Sequence, residues 1–365
     1  MTQILFGGVV AQAGYRRILG RRATIAGGIL GSVPDLDVVA GWIGGPVLAW
    51  QQHRGISHAV PVALVYGAAL GWLIWRLGRA GGGYGGAPQI DRERRQAWMG
   101  LGALACATHP LIDLFTAYGT QLLAPFSTVR FAVNAMPIID PLYSLPLLAV
   151  FLWGALAKMP EVPLPLRFTD RPQRAARLAL SYVLLYTLMA WGAGLHMEDR
   201  ARRELAAAGL PQAAVAAYPT LLQPFWRRLV ADRPDEILVG FASPFDARPI
   251  RWQPFARQER QDAGAAAAVA AVLATEPGRV FHWFAMDKLH WTVLADAAAD
   301  NPGGHVVEAR DYRYGLPGDS ALGFWGLRFR LDAQHRPLGA PERLSERPPP
   351  DAGGFRQMWD GLLGR

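Results

Sequence analysis

The chain has 365 residues, of which 51% are hydrophobic and only 18% charged, with a net charge of +8. Soluble domains carry about 25% charge, so the deficit points to lipid as a partner. A pI near 10.0 would suit a nucleic-acid binder, but the arginines lie in short connectors between apolar runs. That is a membrane pattern, and nucleic acid is excluded as a partner.

From Met1 to Arg22 an apolar stretch precedes the basic cluster Arg16, Arg17, Arg21 and Arg22. A cleavable signal peptide has the opposite order. Ile4–Gly14 is too short to span a bilayer. Ala23–Trp50 is long enough, but Pro34, Asp35 and Asp37 interrupt it, which predicts a helix that breaks where the carboxylates occur. Irregular backbone at membrane depth needs a protein or water lining. Four further apolar runs, His58–Leu77, Ala97–Ala117, Pro137–Ala157 and Arg177–Met197, are each about 20 residues, enough to cross roughly 30 Å of hydrocarbon. The single cysteine, Cys106, excludes an internal disulfide and a CxxC metal motif.

Charge sets the orientation. The connectors holding Arg16–Arg22, Arg76–Arg95 (around the glycine stretch Gly81–Gly86) and Lys158–Arg177 carry fourteen basic residues, whereas the alternate loops, Ser32–Ser57 and Ala117–Pro137, carry only Arg54 and Arg130. The basic connectors are therefore expected in the cytoplasm and everything after Met197 outside. Arg200, Arg202 and Arg203 run against this, but charge in front of a long translocated domain weighs little.

From His196 onward the composition changes. Residues 198–230 are predicted helical, with Tyr218–Trp226 an aromatic, Pro-punctuated piece suited to a membrane surface. Gly323–Asp332 alternates with the period of a half-buried strand, and Ile237–Phe241, Val280–Phe284, Trp291–Ala295 and Val306–Tyr312 are further strand candidates. Arg336–Gly354 is rich in Pro, Gly and charge and predicts a loose tail. The expected architecture is an all-α membrane domain over residues 1–197, with four full transmembrane helices plus interrupted N-terminal helices. An outward-facing α+β domain over 198–335 and a loose tail over 336–365 follow.

Three clusters carry chemistry: Val33-Pro34-Asp35-Leu36-Asp37, His53-Arg54-Gly55-Ile56-Ser57-His58 and His109-Pro110-Leu111-Ile112-Asp113, with Asp140 a fourth candidate. His109 and Asp113 fall on one helical face. His53 and His58 are about 140° apart round a helix, which puts one of them in the loop before the next span. Imidazole nitrogen and carboxylate oxygen are ligands for zinc, manganese or iron. At 1.5 Å per residue, His109 and Asp113 lie about 18 and 24 Å above Ala97, and Asp35 and Asp37 about 18 and 21 Å above Ala23. His58 enters its span from outside, and Asp140 is barely inside its own. All these groups share the outer half of the membrane, where ionisable residues are costly and mark function. The alternatives are helix-to-helix hydrogen bonding for His109 and Asp113, interfacial caps for His53 and His58, and turn or cap roles for Asp35, Asp37 and Asp140. Arg54 could clamp an anion or contact phospholipid headgroups. Trp42, Trp50, Trp72, Trp75, Trp98 and Trp153 fit interface anchoring. His282, His290, His305 and His335 lack ligand spacing and are expected to be structural.

These clusters, in this order, resemble the YdjM-like family of membrane-bound metal-dependent hydrolases. The matching stretches are the three clusters together with Thr116, Gly119, Pro125 and Arg130-Phe131, and the resemblance covers roughly residues 1–157. It implies an integral membrane protein with a divalent-metal site at His53, His58, His109, Asp113 and the Asp35/Asp37 pair. Many relatives have a histidine where this chain has Gln3, a departure that removes one ligand and implies fewer bound metals.

The expected function is a metal-dependent hydrolase of the bacterial inner membrane, acting at the outer leaflet on a lipid or lipid-linked ester. The metal, zinc or manganese, would be held by His53, His58, His109, Asp113 and Asp140. Asp35 or Asp37 would serve as a further ligand or general base, and Arg54 and Arg130 would stabilise negative charge on the substrate. Two alternatives stay open. One is a non-catalytic metal-binding or metal-sensing membrane protein. The other is an ion-coupled transporter, which would need ionisable groups through both halves of the membrane.

Overall fold

A computed structural model describes residues 2–82, 87–157, 170–210, 213–298, 300–317, 321–345 and 352–363. The chain divides into two units: Met1–Val133 with Ile138–Met189, and Asn134–Pro137 with Ala190–Arg365.

The first unit is helical: α1 (Thr2–Leu19), α2 (Arg22–Gly31), a 3-10 turn (Val33–Val38), α3 (Val39–Gln52), a short 3-10 turn (Ile56–His58), α4 (Val60–Ala80), α5 (Pro88–Leu114), α6 (Pro141–Leu156) and the first part of α7 (Arg171–Ala207). The hairpins α1–α2 and α4–α5 are built on small residues. A Cβ placed on Gly71 would lie 2.0 Å from the Trp98 carbonyl oxygen, and one on Gly102 would lie 2.1 Å from that of Gly67. Membrane helices gain little from expelling water, so such close backbone approach is what holds them together. Around this seam Ala63, Trp75, Trp98, Leu101, Ala105 and Cys106 form a buried core. Trp50 is buried as well. Trp50, Trp75 and Trp98 are therefore packing residues rather than interface anchors, whereas Trp42, Trp72 and Trp153 are exposed.

The helix boundaries differ from the sequence expectation. Three helical runs are long and apolar enough to cross a membrane among the described residues: Arg22–Gln52, Val60–Ala80 and Arg171–Ala207. The expected span over Pro137–Ala157 becomes α6, whose 16 residues rise only about 24 Å. The expected span over Ala97–Ala117 becomes a 27-residue helix, α5, whose first turns carry Arg92, Arg94 and Arg95. Its polar start and its His109–Asp113 end dilute its apolar middle. Ile4–Gly14 is part of a full helix, because Arg16 is not in a connector. Its fully buried guanidinium pairs with Asp170 at 2.7 Å and donates to the carbonyls of Gly154 and Ala157, which satisfies the charge inside the bundle. Gly83–Gly86, Lys158 and Arg167 lie outside the described residues.

The second unit holds two antiparallel four-stranded meanders, β1–β4 (Ala214–Pro219, Arg227–Asp232, Glu236–Ala242, Gln253–Ala256) and β5–β8 (Leu289–Ala295, His305–Asp311, Trp325–Leu331, Glu342–Ser345). Between them come α8 (Gln258–Gln261), α9 (Ala263–Ala274) and α10 (Glu276–Phe284), and α11 (Ala352–Leu363) closes the chain. Met197, Ala201 and Leu205, four apart on one face of α7, pack on Val215, Ala217, Leu229 and Leu238. Three expectations change here. Among the described residues of the 198–230 stretch, only those up to Ala207 are helical, and Tyr218 and Trp226 are buried at a strand connection rather than lying on a membrane surface. Val280–Phe284 belongs to α10, whose start is fixed by Thr275 accepting from the Gly278 amide with Pro in the first turn. The tail contributes β8 and α11 to this unit, with Ser243 donating to the Leu362 carbonyl. Residues 346–351 lie outside the described residues.

The α4–α5 seam can be tested directly. Gly71→Leu should lower stability by about 3 kcal/mol, the upper end of the cost of overpacking, whereas Gly192→Leu, where a Cβ meets nothing within 4 Å, should be nearly neutral. Thermal unfolding of detergent-solubilised protein reads the difference; equal midpoints would contradict the seam.

Candidate metal centre

The site grows from three breaks in helical structure. Helix α2 ends at Gly31, and the Pro34-initiated 3-10 turn carries Asp35 and Asp37. Helix α3 ends at Gln52, and His53 turns extended. Arg54 then takes a left-handed φ of 59°, which costs a non-glycine residue about 1–2 kcal/mol. Its amide donates to Asp37 Oδ2 at 3.0 Å and its carbonyl accepts from the Gln121 amide at 2.9 Å, so the surroundings hold that conformation. The turn places His58 just before α4, and α5 presents His109 and Asp113 from one face.

Four side chains meet. His58 Nε2 and His109 Nε2 are 3.1 Å apart. Asp35 Oδ1 lies 3.5 Å from the first and 3.2 Å from the second, and Asp113 Oδ2 lies 3.4 Å from each. Ligand atoms about 2.0–2.2 Å from a tetrahedral ion stand about 3.3–3.6 Å from one another, so these separations are those of a metal shell.

The protonation logic agrees. His109 Nδ1 is 2.6 Å from the Gly31 carbonyl oxygen, an acceptor, so Nδ1 carries the proton and Nε2 presents its lone pair. His58 Nδ1 faces Asp37 Oδ2 at 3.1 Å, and Ser57 Oγ donates to that same oxygen at 2.7 Å. His58 Nε2 is thereby also left as an acceptor. Asp113 Oδ2 is buried without a hydrogen-bond donor. Two imidazole nitrogens and two carboxylate oxygens thus surround one point, an arrangement that could hold a cation at its centre. The residues fit a divalent metal, and a second set, Asp35, Asp37 and His53, also has donor atoms within 4.8 Å of one another.

Several expected site residues play other parts. Arg54 is buried, with Nε 3.1 Å from Asp113 Oδ2 but not aligned as a hydrogen bond, Nη1 donating to Thr116 Oγ1 at 2.7 Å, and its plane over Tyr118. It neutralises and positions Asp113 rather than reaching for a substrate. Arg130 is buried too and donates to the Gly119 carbonyl at 2.7 Å, so it fastens a loop. Asp140 does not join the cluster. It caps α6 by accepting from the Tyr143 amide and takes the Tyr186 hydroxyl at 2.9 Å; as the residue before Pro141 it is placed for a cap. Gln3 donates from Nε2 to Asp113 Oδ1 at 3.0 Å, so it supports a ligand where a histidine would be one. Sequence reasoning did not single out Ser57 or the Gly31 carbonyl as supports. Ser57 lies inside the His53–His58 motif, but a backbone carbonyl leaves no sequence signal.

The histidines of the second unit stay apart. His282 pairs with Asp287 at 2.9 Å, His305 packs at a tilt against His335 with ring centroids 5.1 Å apart, and His290 donates to the Ala256 carbonyl at 2.9 Å. Burial pushes the His290 imidazole below the usual histidine range and keeps it neutral.

A helical unit with membrane-length apolar helices and an acceptor-only His/Asp centre defines an integral membrane protein with a candidate metal site. Residues 1–197 match the family described as YdjM inner membrane protein, and the chain belongs to that family, a bacterial inner-membrane protein. It is similar to "Uncharacterized protein YfhP" of Bacillus subtilis (strain 168), with 29% identity over 134 residues that cover 36% of each chain. The match therefore spans about a third of that relative's length. No solved structure matches.

The role of Arg54 gives a prediction. Arg54→Met should weaken divalent-metal affinity by about 10–100-fold, the usual cost of losing a partner that orients a ligand, while Arg54→Lys should lose less. Competition with a chromophoric chelator measures both, and unchanged affinity in Arg54→Met would remove the positioning role.

Proposed function

We propose that this chain is a metal-dependent hydrolase acting at the outer leaflet of the inner membrane on a lipid or lipid-linked ester. The observation that supports it best is the buried acceptor set of His58, His109, Asp113 and Asp35, joined on its exposed side by Asp37 and His53. Asp35 is 39% exposed at its side chain and His53 is 23% exposed, so the cluster reaches the surface at these two residues. A bound zinc or manganese ion would supply Lewis-acid polarisation and acidify water. His58 and His109 hold their lone pairs in place through Asp37 and the Gly31 carbonyl, and Arg54 and Gln3 hold Asp113. A proton leaving the attacking water departs toward the open rim of Asp35, Asp37 and His53. Depth supports the lipid reading: the motifs lie at helix ends, and with Arg16 set aside as a buried bundle residue, thirteen basic residues against two still favour their outward placement.

One observation favours a second reading, a non-catalytic metal-binding protein. Four protein donors already complete a tetrahedral shell, and closed shells are structural whereas catalytic ones keep a position open.

His109→Ala and Asp113→Ala should each lose bound metal and ester hydrolysis, while His282→Ala should lose neither. Metal content and phosphoesterase and lipid esterase turnover are measured on the same purified samples. Wild-type protein that binds metal but hydrolyses neither ester class would support the second reading instead. Orientation has its own test: reporter fusions after Gly82 and after Leu205 should report opposite sides, and the same side for both would remove the outer-leaflet placement.

A further inference from the structure

We propose that one end of the β1–β4 sheet rests in the surface of the bilayer that α7 crosses, with Leu221, Phe225 and Phe245 among the lipid headgroups. Helix α7 is long and apolar enough to span a membrane. Its exposed surface stays apolar through Trp191 and Leu195, after which Glu198, Asp199 and Arg200 begin. The water boundary therefore falls near residues 195–198. Strand β1 runs antiparallel to this helix. Arg202 donates to the Val215 carbonyl at 3.4 Å, and Glu198 accepts from the Ala217 amide at 3.2 Å. Pro219 pairs with Arg227, whose Nη1 would lie 3.1 Å from a Cβ on Gly194 and whose Nη2 donates to the Ala190 carbonyl. Two strand residues and four helix residues each advance about 6–7 Å. The Thr220–Trp226 connection that follows Pro219 thus continues past Gly194 toward Ala190, on the lipid side of the boundary.

Three separate segments bring apolar side chains to this end. Ala242 also pairs with Arg227, so the chain leaves β3 here, and the Phe245 ring lies 5.7 Å from that of Phe225. Helix α11 ends here as well: a Cβ on Gly361 would lie 2.5 Å from Trp226 Nε1, and Ser243 donates to the Leu362 carbonyl at 2.8 Å. Among the described residues of the second unit, eight large hydrophobic side chains are exposed: Trp191, Leu195, Leu221, Phe245, Leu294, Leu338, Trp359 and Leu363. All but Leu294 and Leu338 gather at this end, over the buried Tyr218 and Trp226. The opposite end of the sheet is charged instead, its β2–β3 turn carrying Arg233, Asp235 and Glu236. Contiguous exposed apolar surface marks an interaction site. An aromatic patch level with the apolar part of a spanning helix has the composition of a membrane-interface belt. A soluble protein would have to pass the headgroups to reach it, so lipid is the occupant.

The test is spin-label depth on the full-length protein, one chain per nanodisc of phosphatidylethanolamine and phosphatidylglycerol. Labels enter through Leu221→Cys and Phe245→Cys, with Leu294→Cys as the control. Leu294 stands by the charged end: its neighbour Val293 donates to Gln258, and the Arg257 amide donates to the Asp235 carbonyl. Cys106 is buried, and mock-labelled wild type sets its background. Power-saturation electron paramagnetic resonance compares collisions with lipid-soluble oxygen and with a water-soluble nickel chelate. The oxygen-to-nickel ratio should be several-fold higher at 221 and 245 than at 294. A ratio at 221 or 245 no higher than at 294 overturns the proposal. Labels at 221 and 245 shielded from both reagents overturn it too, since protein rather than lipid would then cover the edge. Trp359→Cys, also exposed, replaces either variant that loses its helical circular dichroism, and the same outcomes decide.

Discussion

The first unit depends on bringing four hydrogen-bond acceptors to one point without a donor among them. With Nε2 of both histidines unprotonated, their lone pairs and the oxygens of Asp35 and Asp113 repel one another, and a divalent cation between them could relieve that repulsion. Much of the neighbouring structure serves this cost. The Gly31 carbonyl and the Asp37 carboxylate fix the two ring tautomers. Arg54, buried beneath Tyr118, offsets part of the negative charge of Asp113.

Those contacts need stiff supports, and close helix packing supplies them. Asp35 and Asp37 sit where α2 gives way to the 3-10 turn, His58 just before α4, and His109 and Asp113 near the end of α5. Backbone contact at Gly67, Gly71 and Gly102 locks α4 to α5, and contact at Gly7 and Gly27 locks α1 to α2. A shift of either pair would move these clustered side chains by more than the roughly 0.5 Å that a preorganised site tolerates.

The sequence carried the candidate metal-holding residues more clearly than the helices. His and Asp stand out in apolar segments because burying them there is costly, and the i, i+4 spacing of His109 and Asp113 shows directly that they share a face. Helix boundaries were harder. Arg16 reads as a loop residue until Asp170, far along the chain, is found beside it, and α5 begins in a charged stretch that resembles a connector. Asp140 had a ligand's chemistry but a cap's position before Pro141. Arg54 carries the same charge in a substrate clamp as in a buried counter-ion, so only the three-dimensional environment separates the two roles. In the second unit the strongly alternating β7 was visible, whereas β1 and β2, rich in alanine and arginine, gave no clean period. Arg227 shows why: it is fully buried because it donates to the carbonyls of Asn134, Ala135 and Ala217, partners that sequence spacing cannot reveal.

The central claim is that two imidazoles and two carboxylates surround a divalent ion. X-ray absorption at the zinc edge of zinc-loaded protein tests it most directly. The account predicts a first shell of nitrogen and oxygen at about 2.0–2.2 Å, with the outer-shell scattering of two imidazole rings. A first shell lacking imidazole scattering, or one that survives unchanged in His58→Ala and His109→Ala, would contradict it.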